Sequence, residues 1–379
     1  MKLFFLKRIL FLVSLQTVIL LHMNAGLSAQ GDENAQWQVA ISPRAWDFPR
    51  DHGAHPEYRT EWWYVTGNLA DSSGRHYGYQ LTFFRQGLRN HVAESANSWS
   101  IRDIYVAHFA ITDIDKKIFT MDERMSRAGP GLAGAITGDM EVWLFDWKAH
   151  MAGSDIFLEA RNRGMQLKLQ LTPRKPLVYH GAGGISKKGA GKGQASYYIS
   201  FTDLDTTGSI RTSADGPLIR VQGISWFDHE FGSAQLAQDQ EGWDWFGLHL
   251  SDGRDLMIYL LRKTNKTLNP ESSGTMVEPD GRHRHISLSE ISVTVLDTWK
   301  SQKTGANYPS RWRVTIPSEH IDITLAPLVA DQELDTRQTT GIVYWEGAVA
   351  GQGLSHGKQT SCKGYVELTG YAGSMGGLF

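Results

Sequence analysis

Apolar and polar residues alternate with a period of two in run after run of this chain, and no long apolar pattern of period 3.6 interrupts them. Ile104, Val106 and His108 oppose Tyr105, Ala107 and Phe109; Leu167, Leu169 and Leu171 share one side; Trp312, Val314 and Ile316 stand against Arg311 and Arg313. Successive side chains of a strand point to opposite faces, so each run reads as a strand with one face buried. The runs Ile291-Ser292-Val293-Thr294-Val295 and Ile321-Asp322-Ile323-Thr324-Leu325 behave alike, and turn signals at Asp71-Ser72-Ser73-Gly74, Asp252-Gly253 and Asp280-Gly281 fall between runs. The class is all-β, a sandwich or a barrel.

The N-terminus follows a different rule. Basic residues among Met1 to Arg8 precede an apolar run from Ile9 to Leu21, the pattern of a cleavable signal peptide. The run falls short of the roughly 20 residues that span a bilayer as a helix. A leader over residues 1–29, cleavage before Gln30 and a periplasmic or secreted product without a stable membrane span are expected. About 350 residues then remain, more than one hydrophobic core commonly serves. Two domains, 30–212 and 213–379, are expected, divided where Thr, Gly, Ser, Asp and Pro concentrate between Thr206 and Pro217. Cys362 is the only cysteine, which excludes an intrachain disulfide. With 38 basic and 40 acidic residues, no net field recruits nucleic acid or an anionic membrane.

One hairpin plan occurs twice. Trp62-Trp63-Tyr64 leads through a turn at Asp71 to Arg75 into a strand closing on Arg85; Trp243-Asp244-Trp245-Phe246 leads through Asp252-Gly253-Arg254 into a strand closing on Arg262. This reads as a duplication. Arg85 and Arg262 either pack structurally across aromatic rings or contact a ligand head group, and the structural role is favoured. Residues 180–194, rich in Gly, Lys and Ala, lack the order of a phosphate loop and read as a mobile surface loop. His283-Arg284-His285 reads as solvent-exposed, and no metal is expected.

The densest chemical cluster is Gly223-Ile224-Ser225-Trp226-Phe227-Asp228-His229-Glu230-Phe231-Gly232. On a strand, Asp228 and Glu230 share a face and His229 points away, so a common site for all three requires a bend. The alternative is a hydrogen-bonded corner. Neither the G-x-S-x-G elbow nor H-E-x-x-H is present.

Glu61-Trp62-Trp63-Tyr64 with Thr66-Gly67, Leu81-Thr82-Phe83-Phe84-Arg85, Trp226-Phe227-Asp228-His229-Glu230 and Gly242-Trp243-Asp244-Trp245 resemble the AttH and hydroxyneurosporene synthase-type (carotenoid 1,2-hydratase-like) family. Tyr308-Pro309 with Trp312, Tyr344-Trp345-Glu346-Gly347 and Gly364-Tyr365-Val366-Glu367-Leu368-Thr369-Gly370-Tyr371 extend the likeness. Phe231 departs from it, standing where the family usually has a second Trp. The resemblance implies two tandem lipocalin-like (calycin) β-barrel domains, export, and handling of lipids or isoprenoids. Two functions compete. One is a cofactor-free hydratase-like lyase, with Asp228 as proton donor, His229 placing water, Glu230 beside them, and Tyr64 or Trp226 facing a carbocation. The other is binding of an apolar ligand, with Trp63, Tyr64, Arg85, His108, Trp226, Trp243, Trp245 and Arg262 as candidate contacts. An accessory role beside an AttH-type ABC export system and secreted hydrolysis are the remaining alternatives.

Overall fold

A computed structural model describes residues 37–90, 101–162, 164–233 and 236–376. The expected leader and its cleavage point lie outside these residues. Among the described residues no helix is long and apolar enough to cross a membrane.

The chain folds into two antiparallel sheets, each curled into a barrel-like half, within the all-β class expected from the alternation. The first has 13 strands, with Thr60–Asp71 between His76–Gly87 and Ile219–Gly232; the second has ten, with Gln240–Leu250 between Asp255–Lys263 and Lys358–Leu368. The last strand of the first sheet ends at Gly232 and the second sheet starts at Gln240. The change of sheet thus follows the Ile219–Gly232 strand instead of preceding it at 212/213. The polar stretch at 212–217 is only the hairpin turn before that strand.

Odd-numbered residues of the first hairpin fill its barrel: Trp63, Val65, Leu81, Phe83 and Phe109 are buried in one cluster. Phe246, Leu248, Trp312, Trp345 and Val366 fill the second. The repeated hairpins occupy corresponding places in separate sheets. Their turns share one mechanism, in which Gly74 and Gly253 take positive φ of 81° and 89°. Arg75 and Arg254 then reach back to Asp71 and Asp252 at 2.8 and 3.2 Å.

The opposite faces of these strands turn toward the other half. Asn68 Nδ2 donates to the Gly364 carbonyl at 3.2 Å, and Lys175 pairs with Asp255 at 2.7 Å. At Gly78 the halves come so close that a Cβ would lie 2.5 Å from the Tyr365 hydroxyl. Only glycine fits there.

Candidate functional site

The Ile219–Gly232 strand runs without a bend beside Thr60–Asp71: Tyr64 faces Asp228 and Trp62 faces Glu230. Strand geometry therefore separates the three ionisable residues. Asp228 and Glu230 point into a cavity between the sheets, and His229 points into the first barrel. The cavity holds about 1130 Å³ of atom-free space, partly continuous with solvent. From the first half Trp62, Tyr64, Phe84, His108 and Tyr198 line it. Trp243, Trp245, Tyr259, Tyr344, Glu346 and Glu367 line it from the second. Glu346 and Glu367 are direct cross-strand partners, and Trp245 stands beside Glu367 on the next strand.

Asp228 is fully enclosed in a donor network. Trp226 Nε1 donates to Oδ1 at 2.6 Å, Tyr198 donates to Oδ2 at 2.6 Å, and Ser200 also donates to Oδ1. Trp245 Nε1 reaches the Tyr198 oxygen at 3.0 Å, joining the two halves. Burial raises Asp228 to about 7 even against these three donors. Glu367 also rises to about 7, through burial and the nearby Asp228 and Glu230 charges, although Trp243 Nε1 donates to it at 2.7 Å. Glu346 goes further. Both its oxygens are buried without a hydrogen-bond partner, and burial plus the facing Glu367 push it well above the carboxylate range. Glu230 differs in having a cation, with Lys188 Nζ at 2.7 Å. His108, desolvated to about 3, is a neutral ring hydrogen-bonded to the Tyr344 hydroxyl at 2.8 Å.

The remaining candidates sit elsewhere. Tyr64, His108, Trp243 and Trp245 line the cavity, and Trp226 stands behind it as a donor to Asp228. Trp63 and His229 stack together inside the first barrel with centroids 5.1 Å apart. Arg85 is buried there, bonded to Glu61 at 3.1 Å and Asp103 at 2.9 Å. Arg262 bonds Asp244 at 2.8 Å and lies over Tyr371. Neither arginine reaches the cavity, because each follows the inward side of its strand. His229 cannot place water for Asp228 for the same reason. Residues 180–194 are not a free surface loop either: His180 is buried, and Lys188 inserts its ammonium into the cavity over Tyr259 at 4.1 Å.

His55, Glu61 and His229 bring three metal-ligating atoms within 4.8 Å of one another in the first barrel. Arg85 already supplies a positive charge to Glu61, and both histidines hydrogen-bond the same Glu61 oxygen at 2.8 and 2.9 Å. Protein groups thus hold the Glu61 carboxylate, while His229 Nδ1 is buried without a hydrogen-bond partner.

Sequence reading missed Glu346, Glu367, Tyr198 and Lys188. A signal existed for the two glutamates, since Tyr344/Glu346 and Tyr365/Glu367 repeat the aromatic-then-acid spacing of Trp226/Asp228 on one strand face.

The profile described as AttH-like matches residues 39–371. The chain belongs to the AttH-like family. A putative AttH of Nitrosomonas europaea is 35% identical, with a TM-score of 0.78 over 88% of this chain and 100% of that one. Kievitone hydratase of Nectria haematococca shares the fold at 16% identity, with a TM-score of 0.66 over 90% of this chain and 97% of that one. CghA, solved with Sch210972, does so at 12% and 0.50 over 90% and 98%. No curated protein sequence matches the chain. The likeness to the last two chains is one of fold.

Proposed function

We propose that this AttH-like chain is an exported protein that takes a lipid or isoprenoid into the cavity between its halves. There it performs cofactor-free, hydratase-like proton chemistry. The observation that carries this reading is the buried Asp228 carboxyl, raised to about 7 and joined to Tyr198, whose hydroxyl belongs to the cavity wall. When Asp228 holds a proton it donates to the Tyr198 oxygen, and the tyrosine hydroxyl turns to donate into the cavity. An alkene carbon of the ligand takes that proton. The charge left on the neighbouring carbon faces Trp62, Tyr64 and Trp245, whose ring faces favour cations. Water adds to it, and the proton it loses returns through Tyr198 to Asp228, so the net change is alkene plus water to alcohol. The reverse path dehydrates. Fold likeness to kievitone hydratase supports this reading at the level of scaffold.

Hydrolysis has less support. Ser200, the serine that His180 contacts at 2.7 Å, is wholly buried and gives its proton to Asp228. A carrier role beside an export system uses the same cavity without turnover. Mass spectrometry of material co-purifying with the protein identifies the ligand, and incubation with that ligand separates turnover from carriage. Asp228→Asn should then lower turnover by about a hundredfold to ten-thousandfold while the ligand still binds. Unchanged activity per folded molecule removes Asp228 from the chemistry.

A further inference from the structure

The register of the first sheet sets Glu230, Trp62, Phe84, Val106 and Met125 in one row across five adjacent strands. From Trp62 to Met125 this row is apolar. It begins in the cavity and continues into a second groove of about 650 Å³, which shares Thr60, Trp62, Phe84 and Thr340 with the cavity and adds Ile104, Val106 and Met125. At strand spacing the apolar row is roughly 14 Å long. The cavity end has the opposite character. Four carboxyl residues line it, Asp228, Glu230, Glu346 and Glu367, against Lys188 as the only lysine or arginine among the described residues.

Lys188 shows what such a wall holds. Its ammonium lies between the Glu230 carboxylate and the Tyr259 ring. Glu346 and Glu367 form the same arrangement without the cation: paired carboxyls beside Trp243, Trp245 and Tyr64, with both Glu346 oxygens buried and unpartnered. We propose that the ligand is a single-chain amphiphile with an ammonium head, the head seated between the Glu346–Glu367 pair and the tryptophan faces and the chain leaving past Trp62 and Phe84 along Val106 and Met125. This rests on the reading of the cavity as the ligand site and names the class of ligand. The head sits on the second-sheet wall, leaving Asp228 and Tyr198 on the facing wall to act on the chain.

Decyltrimethylammonium, decanol and decanoate share a chain and differ in head charge. Titration calorimetry of the whole chain with each, below micelle formation, tests the head site. Decyltrimethylammonium should bind at least about tenfold more tightly than decanol, with decanoate weakest. The preference should fall below about threefold in the Glu346→Gln/Glu367→Gln double variant, whose melting temperature is measured alongside to confirm folding. Met125→Glu, at an exposed position, should weaken hexadecyltrimethylammonium, whose chain is long enough to reach it, and leave butyltrimethylammonium unaffected. Equal or tighter binding of decanol overturns the ammonium assignment and leaves the cavity standing as an apolar site. Failure of all three decyl compounds to bind overturns both. A preference that survives the double variant, or a Met125→Glu change that affects both chain lengths equally, overturns the placement.

Discussion

Glu61 and Glu346 are buried to the same degree, one inside the first barrel and the other on the wall between the halves, and they are driven in opposite directions. Burial alone would raise Glu61, but His229, His55 and Arg85 outweigh it and hold the carboxyl well below its usual range. The His55 backbone N–H adds a further donor at 2.9 Å. Glu346 receives no such bond and faces a second carboxyl, so its charged form is disfavoured. Burial therefore does not determine the state of a buried acid; the donors around it do. The barrel cluster is built to stay ionised and fixed. The cavity cluster disfavours its charged forms.

The largest effect should come from breaking the barrel side of that contrast. Glu61→Gln leaves the Arg85 cation with Asp103 as its remaining carboxylate partner and removes the negative charge shared by His55 and His229. Removing one member of a buried ion cluster costs about 3–5 kcal/mol. Urea denaturation at pH 7 should show that loss. A cost under about 1 kcal/mol would mean that the network is not what holds the barrel end together.

The two clusters also predict opposite slopes of stability with pH. Glu61 has a lowered pKa in the fold, so its contribution is present above its unfolded pKa near 4.5 and is lost as pH falls below it. Asp228 and Glu367 have raised pKa values near 7, so the fold binds more protons than the unfolded chain between about pH 4 and 7. Their favourable contribution is complete below that window and disappears as pH rises through it. Asp228→Asn should remove about one proton from the slope, or about 1.4 kcal/mol per pH unit inside the window. Chemical denaturation at half-unit pH steps measures it. An unchanged slope would show that Asp228 ionises normally in the fold.

This contrast explains what was legible in the sequence. Period-two alternation was enough for the strands and the all-β class, because side-chain direction along a strand is local, whereas the barrel halves were implied by the family resemblance. The same rule divides Asp228 and Glu230 from His229, and the structure keeps that division where a shared catalytic cluster had required a bend. Glu346 and Glu367 were hidden because their meeting depends on register between two strands and on the opposite sheet covering them. Lys188 was hidden for a related reason. A glycine- and lysine-rich segment reads as solvated until Glu230 and Tyr259 are known to stand beneath it. Arg85 and Arg262 depended on partners distant in sequence: Arg85 bonds Glu61 and Asp103, and Arg262 bonds Asp244 and lies over Tyr371.

The smallest effect should come from the cavity side. Glu346→Gln keeps the shape of the side chain and an oxygen for the adjacent Tyr64 hydroxyl, and replaces an acid that must stay protonated against its ordinary tendency at neutral pH. Because its folded pKa is raised, the wild-type chain loses stability as pH climbs above the unfolded value near 4.5, and the amide has no proton to lose. Against that gain stands the cost of a buried amide without partners, about 1–3 kcal/mol. The two should nearly cancel at pH 7. Near pH 4.5 the gain vanishes and the variant should be less stable by about 3 kcal/mol, the upper end of that cost, while by pH 8 it should equal or exceed wild type. Paired denaturation curves at the two pH values test this, and the sign of the change is the decisive quantity. A variant that loses ground as pH rises would show that Glu346 is ionised in the fold, with a cation beside it as Lys188 stands beside Glu230.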